Sequence, residues 1–274
     1  MFYSVRHPLQ KLSTELRLDL LDLIYQNGGH IGGSLSSLDL MVAVYFGKIF
    51  DLKKDKFILS AGHICPALYT VLAKAGYFSQ EKLKTYSQFK SFLQGHVSTE
   101  TPGVNYSSGS LGQGLSFSAG LALGNKKNMA ICLTSDGEHQ EGQVWEAAMF
   151  AAKYHLGNLI NIVDVNRFQI DGSTDEIMPL KNLAAKYIQF GWTVTTVNGH
   201  NFNQILKALN KAKNSTYPNC IIAQTTFGKG ISFMENNYHF HDVKNLSADQ
   251  YSEAKKELMN INSRRDVLHT SQSK

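Results

Sequence analysis

Cysteine is scarce and unpaired in this sequence: Cys65, Cys132 and Cys220 are scattered over 274 residues with no CxxC spacing. That excludes a disulfide framework and a zinc knuckle and leaves three reduced thiols. Long apolar stretches are missing too. Unbroken runs such as Met41 to Phe46 and Ala147 to Ala152 fall far short of the ~20 residues that cross a bilayer. The first residues, MFYSVRHPLQK, contain no apolar signal segment, so a cytoplasmic protein without a membrane association is expected. Neither GxxxxGK[ST] nor a GxGxxG after a first strand occurs, and both common nucleotide-binding readings lose ground. Lys and Arg are spread along the chain instead of gathered on one motif, so nucleic acid is not an expected partner.

What is there is globular. Hydrophobic residues make up 43% of the chain, enough for a buried core, and 27 Lys and Arg against 22 Asp and Glu leave a charge of +5 that suits phosphorylated ligands. Apolar residues at helical spacing run from Pro8 to Gln26 and stop at Asn27-Gly28-Gly29; further helical patterns cover 38–50, 111–123, 144–154, 183–190 and 202–212. Short buried-strand candidates lie between them at 57–60, 129–133, 159–165, 192–197 and 220–225. This alternation predicts an α/β fold, a mostly parallel sheet with helices on both faces. One domain is expected over 1–246, followed by a polar terminal helix and tail over 247–274, the tail fraying after Asn262.

In such sheets ligands gather beyond the C-terminal strand ends, and here those ends lead into polar or glycine-rich sequence: Ala61-Gly62-His63, Thr134-Ser135-Asp136-Gly137, Asn166 and Gly228-Lys229-Gly230. Two more glycine clusters, Gly28 to Gly33 and Gly109 to Gly114, precede helices, where free N–H groups favour phosphate. Asp136 and Asn166 would share one sheet edge through a single right-handed crossover. Two hard oxygen donors there suit Mg²⁺, completed by phosphate oxygens and water. Each residue taken singly is also an ordinary Asx turn at a strand end.

The sequence resembles the transketolase family. Ser135-Asp136-Gly137, then Glu141-Gly142 and Asn166, is similar to that family's thiamine-diphosphate motif with a serine for its first glycine. GGHIGGSLSSLDL, FILSAGHICPALYTVLAKAGY, GHVSTETPGVNYSSGSLGQG and TTFGKGISFMENNYHFH follow the family's order, so the resemblance reaches from the first helix to about Asp242. It implies thiamine diphosphate as cofactor and Mg²⁺ as metal, with Ca²⁺ or Mn²⁺ as substitutes. Asp136 and Asn166 would ligate the metal by side chain and Phe168 by its carbonyl. Gly137 would let the backbone approach the diphosphate, and His63 and His241 would meet phosphate or substrate, with His239 as a competitor for the second role. Gly109 and Leu111 would line the cofactor rings. His30 and His96 would contact sugar hydroxyls or relay protons, and Glu141 would join a carboxylate network between subunits.

Departures from the pattern are Ser110 for a proline, the loop filling Glu138-His139-Gln140, and length, since 274 residues hold only the first of three transketolase domains. In the family the glutamate that activates the cofactor's pyrimidine belongs to the next domain, and nothing in this sequence matches it. The resemblance therefore implies the N-terminal subunit of a split transketolase, which acts on sugars or sugar phosphates in an α₂β₂ assembly with a C-terminal subunit. Competing expectations are another thiamine-dependent reaction, such as 2-oxo acid decarboxylation, and a catalytically silent binding subunit.

Overall fold

The computed structural model describes residues 3–270. The first half runs α1 (Tyr3–Asn27), α2 (Ile31–Phe46), β1 (Lys56–Leu59), α3 (Cys65–Lys74), α4 (Gln113–Gly124), β2 (Ala130–Ser135), α5 (Gly142–Lys153) and β3 (Leu159–Val165). The second runs β4 (Phe168–Gln169), β5 (Gly172–Ser173), α6 (Thr174–Ile177), α7 (Leu183–Gln189), β6 (Thr193–Asn198), α8 (Phe202–Lys213), β7 (Asn219–Gln224) and α9 (Ala248–Thr270). β4 and β5 form a small antiparallel hairpin. The other five strands make one parallel sheet in the order β1-β2-β3-β7-β6.

Strand side chains alternate between two cores, as the period of 2 requires. On β2, Ile131 and Leu133 face α1, α2, α3, α8 and α9, whereas Ala130 and Cys132 face α4, α5 and α7. All three cysteines are buried and free. The edge strand β6 keeps Thr193, Val194 and Thr195 half-buried. Among the described residues no helix is long and apolar enough to cross a membrane.

The expected strands appear within a residue or two, while several helices differ; α1, for one, begins at Tyr3 and takes Pro8 into its interior. α3 has no helical signature in the sequence, because Cys65 to Ala73 is buried all round and leaves no polar face to produce a helical period. α2 starts at Ile31 and absorbs Gly32 and Gly33 from what reads as a glycine loop. Gly32 is needed there: a Cβ would lie 2.0 Å from the Phe227 ring. The terminal helix runs on to Thr270, past the fraying expected after Asn262, and residues 271–274 lie outside the described residues. It packs on α1, with Tyr251 stacked on Tyr25 at 4.0 Å and Tyr251 Oη donating to Asp22 at 2.6 Å. At the C-terminal end of α1, Gly28 and Gly29 turn the chain with φ of 71° and 129°. Gly29 then exchanges two backbone hydrogen bonds with Val243, 2.8 and 3.0 Å long.

Candidate active site

β1, β2 and β3 end side by side, and each hands on to one of the polar loops. The pairing of Ser135 with Asp164 puts Asp136 and Asn166 on adjacent chain turns at the same edge. Ser60 leads into the 3-10 turn Gly62–Ile64, which carries His63, and Asp136 leads into the 3-10 turn Gly137–Gln140. A cavity of about 360 Å³ opens between these loops, the N-terminus of α2 and the segment around His241. His30, His63, His96, Gly109, Leu111, Gly137, Glu141, Asn166, Phe168 and His241 all line it. Asp136 backs onto the cavity from behind Gly137 and faces an adjoining hollow with Arg167 and Thr174. His239 is exposed, lies against Tyr238, and does not line the cavity. A larger groove, about 650 Å³, runs along the ends of β6 and β7, but of the histidines it holds only His200 and it is more open.

The Asp136 carboxylate is buried and accepts from the backbone N–H groups of Gly137 at 2.9 Å and Arg167 at 2.8 Å. Asn166 is oriented by its neighbours. Its Nδ2 donates to Asp164 Oδ2 at 3.0 Å and to Ser36 Oγ at 3.2 Å, which turns Oδ1 the other way, toward the Phe168 N–H at 3.0 Å. Burial and the neighbouring Asp164 push the Asp136 carboxyl up to about 7, and burial raises Asp164 as well. The Arg167 guanidinium turns away to Gln224 Oε1 at 3.4 Å, leaving these acids without a side-chain cation among the described residues. An acid short of positive charge beside an amide oxygen is a donor set that a hard divalent cation fits. No group of three His, Cys, Asp or Glu able to hold a metal occurs among the described residues. A cation here would thus need further oxygens from a ligand and water, the usual situation of Mg²⁺ with phosphates.

The cavity's other wall is imidazole. The His30 ring lies 5.1 Å from that of His63, 5.3 Å from His241 and 6.2 Å from His96, and His63 and His241 stack at 5.5 Å. Burial, reinforced by mutual repulsion, holds His63 well below the usual imidazole value and His241 down to about 4; burial lowers His30 too, against the pull of Asp242 at 3.9 Å. These three rings are therefore neutral at pH 7 and able to accept or donate a hydrogen bond. His241 Nδ1 is buried with no partner among the described residues, as expected of a group that meets a bound ligand.

Several contributors escape sequence reasoning. Asp164 and Ser36 orient Asn166, and the buried acid after Asp136 is Glu138, whereas Glu141 is exposed at the rim. Asp164 leaves a trace, a charge inside the apolar run of β3, and Glu138 stands out as part of an unusual loop filling without its role being marked; Ser36 leaves none. Farther back, the buried Arg17 guanidinium holds Asp39 at 2.9 Å, and His200 Nδ1 donates to the same carboxylate at 2.7 Å.

The chain matches the family described as transketolase, thiamine diphosphate binding domain, over residues 10–264. It is 37% identical over 263 residues to an apulose-4-phosphate transketolase subunit of Phocaeicola vulgatus, covering 91% of this chain and 93% of that protein. A 6-deoxy-6-sulfo-D-fructose transketolase subunit of a Clostridium species is 39% identical, with 91% and 96% covered. Human transketolase is 33% identical over 96% of this chain but only 44% of its own length. Among solved structures, Campylobacter jejuni transketolase superposes with a TM-score of 0.86 at 32% identity, over 91% of this chain and 42% of that one.

Proposed function

The chain belongs to the transketolase family through its thiamine-diphosphate-binding domain, and from that premise we propose that it is the N-terminal subunit of a split transketolase. It transfers a two-carbon ketol unit from a ketose, or ketose phosphate, to an aldose or aldose phosphate. The observation that carries this is coverage: relatives named as transketolase subunits are matched over 93% and 96% of their length, and human transketolase over less than half. A separate C-terminal subunit then supplies the pyrimidine-binding domain with its glutamate, in an α₂β₂ assembly. The two subunit relatives carry different sugars in their names, so sugar choice varies within the family at this level of identity.

Bound thiamine diphosphate supplies the nucleophilic carbon and electron sink that ketose cleavage needs. In this reading Asp136, Asn166 and the Phe168 carbonyl hold Mg²⁺, supported by the buried carboxylate and the oriented amide. Gly137 lets its backbone come close to the diphosphate: a Cβ there would touch nothing nearer than Gln169 at 3.5 Å, so space is left on the cavity side. Gly109 and Leu111 flank the rings, and Glu141, exposed on this chain, is free to join carboxylates across the subunit interface. His30 and His96 take and return the protons of substrate hydroxyls, with His63 and His241 nearer the phosphates. Burial lowers the His30 pKa, and a neutral imidazole is suited to that work because it can accept a proton.

Reconstitution with the C-terminal subunit tests the proposal. The complex, supplied with Mg²⁺ and thiamine diphosphate, should move two carbons from a ketose phosphate to an aldose phosphate. Consumption of pyruvate without ketol transfer would overturn the reaction class, and full turnover by this chain alone would overturn the split assembly.

A further inference from the structure

We propose that Glu138 is a positioning residue whose carboxylate fastens together the three loops enclosing the cofactor cavity; the proposal rests on the reading of that cavity as a thiamine-diphosphate site. Glu138 is fully buried, and each of its partners belongs to a different loop. Its Oε1 accepts from the Ser60 hydroxyl, at the end of β1, and from the Gly112 N–H at 2.6 Å, at the start of α4. Its Oε2 accepts from the Ser135 N–H at 3.3 Å, at the end of β2, and the Glu138 N–H donates back to Ser135 Oγ at 3.2 Å. Ser60 Oγ also accepts from the Gly114 N–H at 3.0 Å, so one hydroxyl links the acid to the first turn of α4.

Each fastened loop carries cavity-lining residues. The Ser60 loop brings His63, the Gly112 loop brings Gly109 and Leu111, and the Ser135 loop brings Gly137 and, behind it, Asp136. The strands fix where these loops start, but no strand pairing reaches Gly112. Glycine at 112 fits the arrangement, with φ of 85° and a would-be Cβ only 2.8 Å from Glu141 Cβ. Glu138 therefore sets the distance between the α4 loop and the β2 loop, a width that a rigid ligand must match.

The test uses the assembled complex with Glu138→Gln and Ser60→Ala. In Glu138→Gln the amide oxygen can still accept from Ser60 and Gly112, but the NH₂ meets the Ser135 N–H donor to donor. The Kd for thiamine diphosphate at saturating Mg²⁺ should rise about tenfold or more, the size of one buried charged hydrogen bond. At saturating cofactor kcat should stay within about threefold, because no reacting atom is lost. Ser60→Ala should move Kd the same way by less. On the cofactor-free chain, amide exchange at Gly112 should accelerate in Glu138→Gln while β3 and β7 keep their protection. An unchanged Kd, or a collapse of kcat with Kd unchanged, refutes the positioning role. Equal acceleration across β3 and β7 refutes it too, as that is general destabilisation. Failure of the wild-type complex to bind thiamine diphosphate would sink the cofactor reading, whereas exchange at Gly112 reports the fastening independently.

Discussion

Replacing His139 by leucine should flatten part of the protein's acid sensitivity. His139 is buried, with Nδ1 2.7 Å from the Ser135 carbonyl and Nε2 2.9 Å from Tyr187 Oη. A carbonyl only accepts, so Nδ1 carries the proton and Nε2 accepts from the tyrosine. Tyr187 Oη in turn accepts from Asn161 Nδ2 at 2.9 Å, and Thr134 donates to Asn161 Oδ1 at 3.0 Å. A second proton on His139 would reverse the tyrosine hydroxyl and leave its hydrogen without an acceptor, and Lys186 adds repulsion. Burial is nevertheless the main reason that His139 is held down to about 4. The unfolded chain takes up this proton near pH 6.5 and the folded chain near 4, so stability is fully present above 6.5 and falls as pH drops between the two. Over the two units from pH 6.5 to 4.5 the loss is about 2 kcal/mol. At pH 7, His139→Leu leaves Ser135 O and Tyr187 Oη without their partner and should cost about 2–5 kcal/mol. Urea unfolding of both proteins across this range should show the gap shrinking by about 2–3 kcal/mol toward pH 4.5. A gap that stays constant with pH would refute the account of His139 as a group kept neutral by folding.

Three other substitutions and one control probe separate parts of the molecule. Asp136→Ala should abolish Mg²⁺-dependent binding of thiamine diphosphate by the complex, and calorimetry giving wild-type affinity would remove Asp136 from the metal site. Arg17→Met should cost about 3–5 kcal/mol, because it leaves the Asp39 carboxylate buried without its guanidinium, held only by His200 and the Ser13 hydroxyl; a chemical midpoint within error of wild type would contradict that. Gly32→Ala should displace Phe227, which lines the cavity, and weaken both stability and cofactor affinity. Gly120→Ala, where a Cβ meets nothing within 4 Å, is the control, and it should leave the isolated chain as stable as before or up to about 1 kcal/mol more so.

Much of the architecture is legible in the sequence because it rests on contrast. Strand runs such as Leu159 to Val165 stand out against polar neighbours, and α8 has one apolar face behind the Asn201 cap. α2 and α3 are harder for the opposite reason: helices buried on every side have no polar face, so the sequence pattern starts α2 late and leaves α3 without a signal. The cavity residues are legible through their motifs, which place His30, His63, His96 and His241 in separate glycine-rich or aromatic segments. Partners that act through other side chains leave no such mark. Asp164 matters because Asn166 has two ways to turn, and Glu138 because three loops converge on it; neither role is visible until the chain is folded.

The hydrogen-bonded pair Gly29 and Val243 has a consequence in time. His30 follows one member and His241 precedes the other, so two of the cavity's imidazoles take their places only when these stretches of chain meet. During synthesis the residues around His30, His63, His96 and Asp136 leave the ribosome first, while Val243 emerges near the end of this sequence. Until then the parallel sheet can assemble up to β7 with its ligand pocket lacking a wall. Completion of the pocket thus waits on residues made after the whole sheet, and a cofactor arriving earlier would find the carboxylates without the full ring of histidines.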